Sequence, residues 1–379
     1  MLKIKMSRIL SLLVTFVMMC PCLMANGPLK KPLIFVAADS ILVWGDDRSD
    51  FRATALQVAP DVQVRQIALN AEDTKKYKKD TDAWQKEILP ELNILGGMGA
   101  VGDMSLVLPT TKMVPLAGKL FLQTADASYI DVLERVAYNA FMAILSPGDL
   151  SFEKHVTAQA LMNLSGMVYA TDDNGLYVNF YANSSTHIKT EKFDFVIDQL
   201  TAMPHSNRVK LRLSGLKKGQ QSIVLRFRIP SWAYTRMSKD MPWTLEGTPE
   251  KMFPIYVNGR EEFYQMENGY LVINRLWNSG DEVYFDFPFD VQHLHAVTKG
   301  RVDTEKYALQ RGPLVYGFAK ASLGGVNLDK ATFKESQQPN AYGHSVLISP
   351  LDVPDAKMQQ LEAQPVMDGV RSLWILVEQ

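Results

Sequence analysis

The chain has 379 residues, 47% hydrophobic and 21% charged, with 40 Lys and Arg against 41 Asp and Glu for a formal net charge of −1. That length exceeds one ordinary core and suits two or three domains. The balanced charge excludes an electrostatic nucleic-acid binder and a disordered acidic tail.

Lys3, Lys5 and Arg8 make a basic start, "ILSLLVTFVMMC" follows as an apolar run, and "PCLMA" ends it before Asn26. This is the pattern of a secretory signal peptide over residues 1–25, cleaved after Ala25. The run is short for a membrane span and no second anchoring pattern follows, so a periplasmic or secreted protein without a span is expected. A lipoprotein signal on Cys20 or Cys22 is the rival, but Met18 and Met19 are bulky where small residues are wanted before Cys20. The two cysteines both lie in the leader. A chain cut after Ala25 has no disulfide, thiol nucleophile or thiolate metal site. It also loses three cations and no anions, which moves the formal charge from −1 to −4.

Residues 26–90 form a poorly defined N-terminal segment. Within it "KPLIFVAA" reads as one buried strand and "NAEDTKKYKKDTD" as a solvated, charged turn or linker. From residue 91 to 170 the texture is helical. "SYIDVLERVAYNAFMAIL" sets Ile130, Leu133, Val136, Ala137, Ala140 and Phe141 at helical spacings, with Asp126 as a cap, and predicts one amphipathic helix over 127–143. "TTKMVPLAGKLFLQTADAS" is a candidate preceding helix that Pro115 kinks or confines to one end. "EKHVTAQALMNLSGMVYA" is a third, with Val156, Ala160, Leu161, Leu164 and Val168 on one side. After Asp172 the hydrophobic period becomes two. "RVKLRLSG", "QSIVLRFRIPSW", "GYLVINRLWNSGDEVYFDFPF" and "YALQRGPLVYGFA" read as strands bounded by Gly, Asn, Asp and Pro. A β-sandwich over 171–300, with residues 175–290 as its strands, and a β-rich region over 301–379 follow, so the fold class is α+β.

"FRIPSW" (227–232), "VNGR" (257–260), "GYLVINRLWNSGDEVYFDFPF" (269–289) and "ALQRGPLVYG" (308–317) together resemble the glycoside hydrolase family of bacterial β-L-arabinofuranosidases. "ILGGMGAVGD" (94–103), "TADASYIDVLERVAYNAF" (124–141) and "YATDDNGLYVNFYANSS" (169–185) resemble it too, in the family's order. The resemblance implies an (α/α)6 barrel, which holds the active site, followed by sandwiches. Residues 26–90 are too few for the remaining hairpins at roughly 30 residues each, so residues 91–170 are expected to be a remnant of that barrel. It further implies that Gly312 and Pro313 bend the chain sharply between sheets, and that Arg311 pairs there with a carboxylate or carbonyls. Sugar recognition by Arg311 is the alternative.

The family's retaining mechanism uses a cysteine nucleophile held on zinc by further cysteines and a glutamate. Counting back from Tyr169, the nucleophile stretch is Phe152, Glu153, Lys154, His155 and Val156 here, and the stretch of the glutamate and another thiolate is Leu106, Val107 and Leu108. Asp103 is the nearest counterpart of the family's general acid/base, shortened by one methylene and too close to the later motifs. No zinc or other cofactor is therefore expected, and the inherited chemistry is expected to be lost.

Asp103 and Glu153 are the candidate catalytic pair, since most glycosidases set two carboxylates across the sugar. The plainer reading of Glu153 is a carboxylate at a helix start, where negative charge is favoured. His155 beside it offers too few ligands for zinc, and His293 and His295, which share a strand face, have no third partner in sequence. Exposed aromatics can stack on sugars; Trp243, Tyr256 and Tyr264 are the freer candidates, while Trp232 and Trp277 fall in motifs that look structural. Three functions follow: a degenerate, non-catalytic relative in plant-glycan use, a glycosidase working through Asp103 and Glu153, or an accessory subunit. Expected partners are a plant-derived oligosaccharide or another glycosidase chain, and not nucleic acid.

Overall fold

The computed structural model describes residues 28–29, 31–36, 40–41, 51–67, 74–100, 104–145, 151–216, 221–235, 241–298, 301–318, 332–338, 346–350, 360–366 and 375–376. Its helices are α1 (Phe51–Val58), α2 (Thr74–Ala83), α3 (Val107–Thr124), α4 (Ala127–Arg135), α5 (Met142–Ile144) and α6 (Phe152–Ser165). A π-helical stretch, Val136–Phe141, joins α4 to α5 without a break.

Three sheets follow. In spatial order the first is β1 (Ile34–Val36), β3 (Tyr169–Thr171), β4 (Gly175–Val178), β8 (Gln221–Arg228), β13 (Tyr270–Trp277) and β12 (Gln265–Glu267). In it β4 and β8 run parallel. The second is β11 (Arg260–Glu261), β10 (Ile255–Val257), β14 (Glu282–Asp286), β7 (Arg208–Ser214), β6 (Asp194–Thr201), β5 (Ser184–Lys189) and β2 (Ser40–Ile41). The third is β18 (Lys334–Glu335), β19 (Leu347–Pro350), β20 (Gln360–Pro365), β17 (Leu314–Phe318), β16 (Arg301–Arg311), β15 (Val291–Thr298) and β9 (Trp243–Glu246), with β21 (Ile375–Leu376) against β16.

The period-two strands behave as their alternation predicts. On β7, Val209, Leu211 and Leu213 are buried, while Arg208 and Arg212 face out. The first two sheets meet through their apolar faces, where Phe227 of β8 lies 5.8 Å from Phe285 of β14 in edge-on contact. Among the described residues no helix interrupts the stretch from Leu211 to Phe287. The fold is α+β, helices first and sheets after.

The helix beginning at Ala127 departs from expectation. It is buried on all sides rather than amphipathic: Asp131, Glu134, Arg135 and Asn139 are as enclosed as Ile130, Leu133 and Phe141. Burying those polar groups is tolerable because each has a partner. Arg228, fully enclosed on β8, donates from Nη1 to Asp131 Oδ1 at 2.7 Å, from Nη2 to Glu134 Oε1, and from Nε to the Asn179 carbonyl at 2.6 Å. Trp232 Nε1 donates to the other Glu134 oxygen at 3.0 Å, and the Ser231 N–H to Asp131 Oδ1 at 3.1 Å. Arg135 reaches the opposite way, donating to the Ile94 carbonyl at 2.7 Å and to Gln310 Oε1 at 2.5 Å, with its guanidinium 4.3 Å above the Trp243 ring. Asn139 Nδ2 donates to the Pro313 carbonyl at 3.0 Å, and the Val315 N–H donates to its Oδ1 at 2.8 Å. One helix thus joins the first sheet to the third.

Three local expectations are corrected. Among the described residues "KPLIFVAA" supplies the short edge strand β1, which pairs with β3 alone and on which Ile34 is exposed. The charged run is not a turn from Thr74 onward: Thr74–Ala83 is helix, docked by Asp80, whose carboxylate accepts from Lys119 Nζ at 2.6 Å. Of the two alternatives for Pro115, the structure has the one in which it lies inside the helix, within α3, and not the one that confines it to an end. Gly312 and Pro313 do not join two sheets but form the two-residue turn between β16 and β17 of one sheet. Gly312 has φ +57°, as primed hairpin turns require, and a Cβ there would meet Phe289 Cζ at 2.7 Å. Arg311 pairs with Glu335 at 2.6 Å, as the structural reading expected.

The enclosed charges give a test. Burial pushes the Glu134 carboxyl upward, while Arg228 and Trp232 pull it back. Arg228→Met is expected to lower unfolding free energy by about 3–5 kcal/mol at neutral pH, because two carboxylates lose their cation. Without that cation the folded pKa of Glu134 rises further above its unfolded value. The deficit is therefore expected to shrink as pH falls and grow as it rises. Urea denaturation at pH 5 and pH 8 reads both. Arg208→Met, at the exposed pair with Asp286, is the control and is expected to change little.

Candidate functional site

The residues counted as the nucleophile stretch form the first turn of α6. Ser151 caps this helix, its Oγ accepting from the Lys154 N–H at 3.3 Å. Phe152 at the first helical position is 62% exposed. Glu153 follows it at the surface, its carboxyl held below the ordinary carboxylate range by its own backbone N–H and by the Ser151 hydroxyl. A general acid needs the opposite shift, so Glu153 has the environment of a helix-start carboxylate. Asp103, the other member of the candidate pair, lies outside the described residues. On the neighbouring helix Val107 is buried and Leu108 is 37% exposed.

The histidines do not converge on a metal. His155 Nδ1 lies 3.9 Å from Asp61 Oδ1. His293 and His295 share one face of β15, and His295 lies 3.8 Å from Glu246. Among the described residues no three His, Cys, Asp or Glu side chains could hold a metal ion together. The aromatics divide differently from expectation. Trp243 is fully buried beneath Arg135 and is core. Tyr264 is partly buried against the core and its hydroxyl is raised by burial. Tyr256 stacks on Tyr284 across the strand pair at 4.9 Å, so one of its faces is already covered. Trp232 and Trp277 are buried, each with its indole N–H donated within the core.

Sequence reading missed a groove of about 290 Å³ between α3 and α6. Arg65, Lys112, His155, Gln159 and Asn163 line it with Leu108 and Pro115. The polar pair Gln159 and Asn163, four apart on α6, was the available signal. Arg65 gave none, because it sits on an irregular segment whose position depends on the helices beneath.

Residues 175–289 match the family model of the GH127 β-L-arabinofuranosidase middle domain. Among curated proteins the comparison finds no match. Solved structures do resemble the chain. A GH127 β-arabinofuranosidase superposes with TM-score 0.66 at 21% identity, over 86% of this chain and 59% of that one. A GH127 β-L-arabinofuranosidase from Geobacillus stearothermophilus T6 gives 0.62 at 19%, over 86% and 58%. A further glycoside hydrolase gives 0.61 at 16%, over 87% and 65%. The chain thus spans about three fifths of the length of these structures. The period-two stretch of residues 175–289 matches the GH127 middle-domain model, and the chain as a whole shares the fold of the solved GH127 structures.

Proposed function

We propose that this is an exported GH127-type protein of plant-glycan use that holds carbohydrate without the family's cysteine-dependent hydrolysis. The observation that carries the reading is Phe152, a solvent-exposed phenyl ring at the start of α6, where the resemblance puts the nucleophile. A phenyl ring has no lone pair to attack an anomeric carbon, so the covalent step has no agent there. Glu153 beside it is held ionised, which suits neither protonation of a leaving oxygen nor a switch between acid and base.

The residues at the implied zinc positions do not fit that ion. Leu106, Val107 and Leu108 in one stretch and Phe152, Lys154 and Val156 in the other offer neither sulfur nor carboxylate, leaving Glu153 and His155 where a closed zinc site takes four ligands. No step is therefore routed through a metal. Export through the leader of residues 1–25 is part of the same reading, with the periplasm or exterior as the place of action. Among the described residues no helix is long and apolar enough to cross a membrane.

A second reading rests on apolar exposure. Phe152 at 62%, Met104 at 47% and Leu108 at 37% are unusual for helices that otherwise bury their large side chains, and they suit an accessory subunit seated on another glycosidase chain. Co-purification of such a chain, lost on Phe152→Asp, would favour it.

Wild-type protein is expected to release no L-arabinose from β-linked arabinofuranosides. A panel of aryl glycosides assayed with wild type, Asp103→Asn and Glu153→Gln separates the readings. Turnover that both substitutions abolish would replace the non-catalytic reading by a carboxylate mechanism. Elemental analysis of the purified protein is expected to find less than stoichiometric zinc; one tightly held zinc per chain would overturn the ligand argument.

A further inference from the structure

The groove between α3 and α6 is organised by a strap of irregular chain, residues 62–67, that touches both helices. Gln159 Nε2 donates to the Gln63 carbonyl at 2.6 Å and to Asn163 Oδ1 at 3.2 Å, and the Arg65 N–H donates to Asn163 Oδ1 at 3.1 Å. Two glycines let the strap lie this close. A Cβ on Gly166 would come within 2.7 Å of Val64 Cγ1, and one on Gly118 within 2.6 Å of Ile67 Cδ1. The backbone on each side of Arg65 is therefore held, and Arg65 is delivered to the groove that Lys112 of α3 also lines.

These contacts also orient the two amides. With Gln159 Nε2 and Asn163 Oδ1 engaged by the strap, Gln159 Oε1 and Asn163 Nδ2 have no partner among the described residues, which leaves one acceptor and one donor four residues apart on α6. Pro115 adds another acceptor. It has no N–H for the Thr111 carbonyl four residues earlier, and Thr111 and Pro115 both line the groove. No carboxylate lines it, and among the described residues neither Arg65 nor Lys112 has an ion-pair partner. Leu108, Pro115, Val156 and Ala160 give the lining its apolar part.

We infer that this groove binds the carboxylate-bearing ring of an acidic glycan, a uronic acid residue. The carboxylate lies between Arg65 and Lys112, the ring rests on Pro115 and Ala160, and the hydroxyls meet Gln159 Oε1 and Asn163 Nδ2. A neutral sugar would leave both cations without a counter-charge, and an inorganic anion would use neither the apolar lining nor the oriented amides. The volume, at the lower end of small-molecule sites, suits one ring rather than a long segment. The inference rests on the glycan-binding reading above and names a ligand class for it.

Titration of the full protein, followed by NMR or calorimetry, tests it with four probes: methyl galacturonide, its neutral isostere methyl galactoside, inorganic phosphate and an arabino-oligosaccharide. The galacturonide is expected to bind roughly tenfold or more tighter than the galactoside and than phosphate, the factor one charge-assisted hydrogen bond supplies. Lys112→Glu is expected to erase that margin with an unchanged melting temperature, since Lys112 is exposed on α3. Asn163→Ala, which removes the Nδ2 donor and also releases the Arg65 N–H, is expected to weaken galacturonide binding more than phosphate binding. Equal affinity for galacturonide and galactoside, equal affinity for phosphate, or a Lys112→Glu protein that binds as wild type does would each overturn the inference. Binding of the arabino-oligosaccharide alone would overturn it and leave the glycan-binding reading standing. Binding of no sugar would remove both.

Discussion

The joint between α4 and β8 is the constraint on which the rest of the molecule depends. Arg228 has no exposure, and its guanidinium meets two carboxylates of one helix while its Nε closes on the Asn179 carbonyl. Such a cluster is a poor source of net stability, because removing three charges from water offsets most of what their attraction returns. It is a good source of register. A helix bearing only apolar side chains could slide or turn on the sheet at small cost. A helix bearing Asp131 and Glu134 cannot, because any displacement leaves a charge buried without its partner. Arg135 and Asn139, on the next turn, then set where the third sheet lies. The relative positions of two sheets follow from one helix whose polar side chains each have one place to go.

Sequence motifs acquire a physical meaning at this joint. Arg228, Ser231 and Trp232 all fall in "FRIPSW". Asp131, Glu134, Arg135 and Asn139 fall in "TADASYIDVLERVAYNAF", and Gln310, Gly312, Pro313 and Val315 in "ALQRGPLVYG". These separate stretches, which carry the likeness to β-L-arabinofuranosidases, are the ones that touch each other in space. The likeness therefore reports how helices are mounted on sheets. It does not by itself report chemistry, which a different set of positions would have to carry.

The legible parts of the fold were those with a strong period. Alternation marked β7 and β14 because one face of each strand is buried and the other is not, whereas β8 is buried on both faces where Arg228 meets the helix. Helical spacing found the helix beginning at Ala127 and its apolar stripe, but periodicity has no signature for a polar side chain that is buried because it is paired across 94 or more residues of chain. Amphipathicity was the natural reading of Asp131, Glu134 and Arg135, and it failed because their partners sit on strands far along the sequence. The charged run at Thr74 failed for a related reason: Asp80 docks on Lys119, a contact no local window contains. Trp243 read as a free ring for want of knowledge that Arg135 lies over it. Phe152 and Glu153 were legible only through the resemblance, since an exposed Phe beside a helix-start Glu has no pattern of its own.

The exposed Phe152 and the lined groove bear on each other through the two helices that hold both. Catalysis by two carboxylates needs a pocket that excludes water and holds the sugar within reach of reacting groups. The start of α6 offers the reverse, with a ring in solvent and a carboxylate stabilised in its charged form. One to three turns further along the same helix the requirement changes. Recognition needs oriented donors and acceptors, a counter-charge and an apolar surface, and it tolerates an open site. The side chains from His155 to Asn163, together with the strap and Lys112, have that composition. The same pair of helices thus fits holding a ring better than breaking its bond, and the difference lies in which end of α6 the ligand meets.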